Sequence, residues 1–149
     1  GQYMSEFLGF NFRMSELPAA IGIVQLKHLE DWIERRREIA RQYQEWLPEE
    51  VIKPRECPGR RHVYQLYVVR TLRRDELMRR LREDEIETGI HYPVPIHRQP
   101  VFSQASHLPK TERLCQEILS LPMHPSLRSE QIQYICQKIS NSLSPNREV

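Results

Sequence analysis

Two groups of residues stand in patterns that could do chemistry. The first lies in "GFNFRMSELPAAIG", residues 9–22, where Asn11 and Arg13 fall just ahead of a helical pattern. Free N–H groups at a helix N-terminus attract anions, and an arginine beside them adds a bidentate phosphate donor. Asn11 can donate two more hydrogen bonds from its amide. This entry suits a phosphate, although a local turn bond and an ordinary surface pair account for the two residues equally well. The second group is His91, Tyr92 and His97 in "GIHYPVPIH". These residues fall at the end of an expected strand and in a loop stiffened by Pro93 and Pro95, where side chains are both exposed and held. Residue type alone serves a substrate contact and a structural histidine equally.

Other chemistries are poorly supplied. Two histidines without a nearby carboxylate pair give too few ligands, so no metal site is expected. Cys57, Cys115 and Cys136 are odd in number and widely spaced, which argues against a disulfide framework and for structural roles. There is no Gly-rich nucleotide loop, HExxH pair or nucleophile elbow. The chain by itself lacks a complete active site, and none of its residues is assigned as catalytic. A net charge of +2 calls for neither nucleic acid nor membrane as a partner. With no apolar run of membrane length and no signal peptide, the expected compartment is the cytoplasm.

The elements that must position these residues follow from periodicity. Ser15 and Pro18 make a good helix entry, and Leu17, Ala20, Ile21, Val24, Leu29, Trp32, Ile33, Ile39, Tyr43 and Leu47 keep a helical period up to Pro48. One helix over 15–47 would run roughly 50 Å. A 100-residue domain has a radius of gyration near ~13 Å, so the helix must overhang it. Its first half, "LPAAIGIVQL", is apolar and rich in small residues, and predicts a missing domain or a partner subunit packed against it. The second half carries "RRR" (35–37) among acidic neighbours, which favours a solvated face with ion pairs over a nucleic-acid contact.

Beyond Pro48 the pattern is α+β. Short strands are expected at 51–54, 62–72 and 87–93, and a helix at 73–86 closes a β-α-β unit. Two more helices are expected at 110–122 and 128–143, before a frayed tail.

These residues carry a family likeness. "GFNFRMSELPAAIGIVQLKHLEDWIERRREIARQY", "HVYQLYVVR", "ETGIHYPVPIHRQPVF" and "LCQEILSLPMHPSL" occur in the order and spacing found in DegT-type sugar aminotransferases. The chain resembles the C-terminal part of these fold type I enzymes, which depend on pyridoxal 5′-phosphate.

The resemblance implies an α/β (α+β) fold. Residues 1–14 would come from a missing large domain, and 15–47 would form the interdomain helix. Residues 48–143 would be a small α/β domain with a short sheet packed by helices, and 144–149 the frayed tail. It also implies a homodimer with shared active sites. Asn11 would reach the cofactor phosphate of the neighbouring subunit, with Arg13 beside it. His91, Tyr92 and His97 would lie near the mouth of the site, where a sugar nucleotide rests. The lysine that carries the cofactor would be upstream, since Lys27, Lys53, Lys110 and Lys138 match no such position.

The implied reaction moves an amino group, usually from glutamate, to a keto-sugar nucleotide. A related sugar dehydratase, or a stand-alone binding or assembly module, is the alternative. Glu85 stands where relatives often carry Gly, and a left-handed backbone there would cost about 1–2 kcal/mol.

Overall fold

The computed structural model describes residues 14–102 and 106–144. The chain divides into two units, residues 1–31 and 32–149.

In the first unit, extended backbone at Ser15 leads into α1 (Glu16–Leu26). The Ser15 hydroxyl makes no capping bond, so the entry rests on backbone geometry rather than on the expected side-chain cap. Pro18 fits the first turn, where a missing N–H breaks no helical bond. No residue of α1 is buried, although Leu17, Ile21, Ile23, Val24 and Leu26 are all large and apolar.

The single helix expected over 15–47 is two helices. At Lys27 and His28 the hydrogen bonds tighten to i→i−3, with Lys27 N donating to Val24 O at 3.2 Å and His28 N to Gln25 O at 3.0 Å. Then α2 (Leu29–Trp46) begins. The backbone at Lys27 stays right-handed, and no proline or glycine marks the spot, so the residue types give no warning of this 3-10 turn.

The second unit is built on a two-stranded antiparallel sheet. β1 (Tyr67–Arg70) pairs with β2 (Ile118–Leu121), Tyr67 opposite Leu121 and Arg70 opposite Ile118. Two of the expected strands shrink to single antiparallel bridges at its edges, Ile52 with Arg70 and Gly89 with Ser120. The cause is local: Pro54, Pro93 and Pro95 have no N–H to extend either ladder.

Segment 118–121 was expected to be helical and is a strand. Helix α4 (Pro109–Glu117) stops where Ile118 turns extended, and pairing with β1 overrides the helical spacing. β2 lies between β1 and Gly89, so β1, α3 (Arg74–Glu83) and Gly89 form a split β-α-β unit rather than the adjacent pair expected.

Helices α3 and α5 (Ser129–Leu143) fall where the period places them. Their stripes, Leu77 and Leu81 against Ile132, Ile135, Ile139 and Leu143, join Ile39, Tyr43, Tyr67, Val69 and Leu119 in one core. The Tyr43 hydroxyl donates to Pro122 O at 2.9 Å. After α3, Glu85 takes φ 60°, so the turn keeps a left-handed residue there. Cys115 and Cys136 are buried, whereas Cys57 is exposed and does not pack as expected. Among the described residues no helix is long and apolar enough to cross a membrane.

Candidate functional site

The segment that leaves the sheet after Gly89 carries the candidate side chains. His91 Nδ1 lies 2.9 Å from Ser120 Oγ on β2. Its ring covers Gly89 so closely that a Cβ there would sit 2.7 Å from His91 Cε1. Glycine is therefore what lets this imidazole lie back on the sheet. Tyr92 follows through a cis peptide bond, its ring edge-on to His91 with centroids 5.6 Å apart. Tyr92 itself is 72% exposed. His91 and Tyr92 thus form one pair, fixed at its inner end and open at its outer end.

His97 belongs to a different place. It sits in a 3-10 turn, Ile96–Arg98, and lines a cavity of about 660 Å³ with Ile96, Val101, Phe102 and Leu108. Neither His91 nor Tyr92 lines that cavity. The prolines that stiffen the loop separate the two imidazoles rather than gather them.

Sequence reasoning missed Glu112. This carboxylate, in the first turns of α4, takes three donors on one oxygen: His97 Nε2, Arg98 Nη2 and the Leu108 backbone N–H, each at 3.0 Å. Its other oxygen is 3.5 Å from His107 Nδ1. The hydrogen bond from His97, then those from Leu108 and Arg98, hold its carboxyl at about 2. One local signal was readable, an acidic residue just inside a helix that starts with Pro109. The bond to a histidine 15 residues earlier had no sequence signal.

Glu117, 4% exposed, ends α4 against the sheet and takes Arg113 Nε at 2.5 Å and Arg70 Nη2 at 2.7 Å. Arg113 and then Arg70 lower its pKa. It anchors an element and faces no cavity that His97 shares.

The lysines and the arginine run are largely committed. Lys53 Nζ donates to Gln44 O at 2.8 Å and Leu47 O at 2.6 Å, closing the last turn of α2. Lys138 Nζ pairs with Asp84 at 2.5 Å. Within "RRR", Arg35 donates to Pro125 O and Leu127 O, and Arg37 to Glu56 and His62 O. Those bonds tie α2 to the segments around Leu127 and Glu56. Asn11 and Arg13 lie outside the described residues. Among the described residues no three His, Cys, Asp or Glu gather as metal ligands. What these residues offer is a fixed imidazole, an exposed tyrosine ring and an apolar cavity.

Comparison with known proteins gives this arrangement its context. The family model for the DegT/DnrJ/EryC1/StrS aminotransferases matches residues 1–140. A pleiotropic regulatory protein of Geobacillus stearothermophilus is 42% identical over 93% of this chain and 40% of its own length. A dTDP-3-amino-3,6-dideoxy-alpha-D-galactopyranose transaminase of Aneurinibacillus thermoaerophilus is 36% identical over 93% of this chain and 39% of its own. The crystal structure of a DegT DnrJ EryC1 StrS aminotransferase from Brucella abortus superposes with a TM-score of 0.89 at 34% identity, covering 97% of this chain and 40% of that one. The chain therefore spans about 40% of the length of these relatives.

Proposed function

Because the chain belongs to the DegT/DnrJ/EryC1/StrS aminotransferase family, we propose that it is the C-terminal part of an enzyme that aminates a keto-sugar nucleotide. The match over residues 1–140 carries this reading, together with relatives that are sugar-nucleotide aminotransferases. Glutamate donates the amino group and leaves as 2-oxoglutarate, while the sugar carbonyl becomes an amine. Pyridoxal 5′-phosphate, on which the family depends, supplies the electron sink for both halves.

The roles of this chain's residues follow from their places. Asn11 and Arg13 bind the cofactor phosphate of a neighbouring subunit. His91, with its inner nitrogen on Ser120, and Tyr92, with its outer face open, contact the sugar nucleotide at the mouth of the site. His97 contacts it from the apolar cavity. The lysine that holds the cofactor lies upstream, so this chain alone is inactive; the engagement of Lys53 and Lys138 with protein groups supports that. The domain boundaries at 14, 47 and 143, a homodimer and a cytoplasmic location belong to the same proposal. Apolar α1, with no buried residue, supports the dimer and the large domain, since a helix apolar on all sides is stable only when covered.

The test uses the native polypeptide, captured with an antibody raised to this chain. It is assayed with glutamate and thymidine-, uridine- and guanosine-diphosphate-linked keto sugars. A polypeptide well above 17.9 kDa that releases 2-oxoglutarate supports the reading. One of 17.9 kDa without turnover overturns it and leaves a binding module.

A further inference from the structure

We infer that Glu112 is a positioning residue that fixes the His97 imidazole at the apolar cavity, leaving Nδ1 as the nitrogen offered to the sugar nucleotide. The inference rests on the reading of His97 as a substrate contact.

A carboxylate can only accept, so the 3.0 Å contact makes His97 Nε2 the donor. The ligand-facing nitrogen is then Nδ1, and no described residue bonds it. The side chain of His97 is only 12% exposed and that of Glu112 24%, so the bond lies at the partly exposed margin of the protein. The same carboxylate oxygen holds Arg98 and the Leu108 N–H, one beside His97 and the other at the start of α4. Residues 97, 98 and 108 are thereby tied to one group, and His107 Nδ1 stands at the second oxygen. Ile96, Val101, Phe102 and Leu108, the apolar lining, are close neighbours of these residues in the chain. One helix side chain thus bonds the polar group itself and two of its neighbours in space, Arg98 and Leu108. Orienting a working histidine through its other nitrogen is a common use of a carboxylate.

The full-length protein tests this. Glu112→Ala and His97→Ala each raise KM for the keto-sugar nucleotide about tenfold, with kcat within about twofold. The double variant is no worse than either single one, as for residues acting through a shared contact. Glu112→Gln, whose amide oxygen still accepts from Nε2, restores KM to within about threefold of the parent. Wild-type KM in Glu112→Ala, or losses that multiply in the double variant, overturn the inference. If Glu112→Ala does not fold, Glu112→Asp takes its place, keeping the charge but losing the reach.

A second readout needs no turnover. Carbethoxylation of His97 by diethyl pyrocarbonate, followed by peptide mass spectrometry, is about tenfold faster in Glu112→Ala than in the parent and unchanged in Glu112→Gln. Equal rates in all three overturn the inference. A protein without aminotransferase activity that still shows this pattern refutes the proposed function alone.

Discussion

Helices α1 and α5 both carry isoleucine and leucine along their length, yet they meet opposite fates. In α5 the apolar residues recur at Ile132, Ile135, Cys136, Ile139 and Leu143, a stripe along one side, and all are buried. In α1 they surround the helix, and none is buried. A stripe needs one neighbour, which α3 supplies with Leu77 and Leu81. A helix apolar on every side needs neighbours on every side to bury it. Apolar content therefore tells how much a helix must be covered, and its angular spread tells by how many partners.

The same substitution in each helix is the sharpest way to break this comparison. Ile139→Ala, at a fully buried site, lowers the unfolding free energy of this chain by about 2–5 kcal/mol in chemical denaturation. Ile21→Ala, at a site 52% exposed, changes it by no more than about 0.5 kcal/mol. Equal effects would mean that α1 is already packed within this chain. In the full-length protein the order should alter, with Ile21→Asp shifting the sedimentation profile from dimer toward monomer.

A smaller effect sharpens the account of how α5 keeps its neighbour. Lys138 on α5 pairs with Asp84, and the next residue, Glu85, takes φ 60° to carry the chain back under the core. Glu85→Gly relieves that conformation and stabilises the chain by about 1 kcal/mol in the same denaturation assay. A loss of stability would mean that the Glu85 side chain contributes more than its backbone costs.

The smallest effect is electrostatic and belongs to the surface straps rather than the helices. The Arg37 guanidinium, then the His62 N–H, hold the Glu56 carboxyl at about 2, as His97 and its neighbours hold Glu112. Both start from an ordinary value of 4.5. A lowered folded-state pKa means that the unfolded chain binds the proton more readily. The contribution is whole above about 4.5 and is lost as pH falls toward 2. Thermal midpoints measured across that window should drop, less steeply in Glu112→Gln and at high salt. A midpoint that rises on acidification would contradict the assignment.

The parts of the fold legible in the sequence were those that one period settles. The stripes of α3 and α5 needed no knowledge of their partners. Ile118–Leu121 was misread because "CQEILSL" keeps helical spacing, and only Tyr67–Arg70, some fifty residues away, makes it a strand. The 3-10 turn at Lys27 and His28 carries no breaker residue. Of the candidate residues, His91, Tyr92 and His97 were singled out by residue type and by their place beside Pro93 and Pro95. Their separation into a pair and a lone imidazole was not, because Ser120 and Glu112, which divide them, are contributed by later elements.

The three thiols give the molecule a built-in handle. Burial pushes the Cys136 thiol up to about 12, Cys115 is enclosed, and only Cys57, in the turn after Glu56, is open to solution. A maleimide dye would mark one position per chain without mutagenesis. The same openness sets a trap for any study of self-association, since two copies can cross-link there in air. A dimer that vanishes with reductant belongs to Cys57, and one that persists belongs to α1.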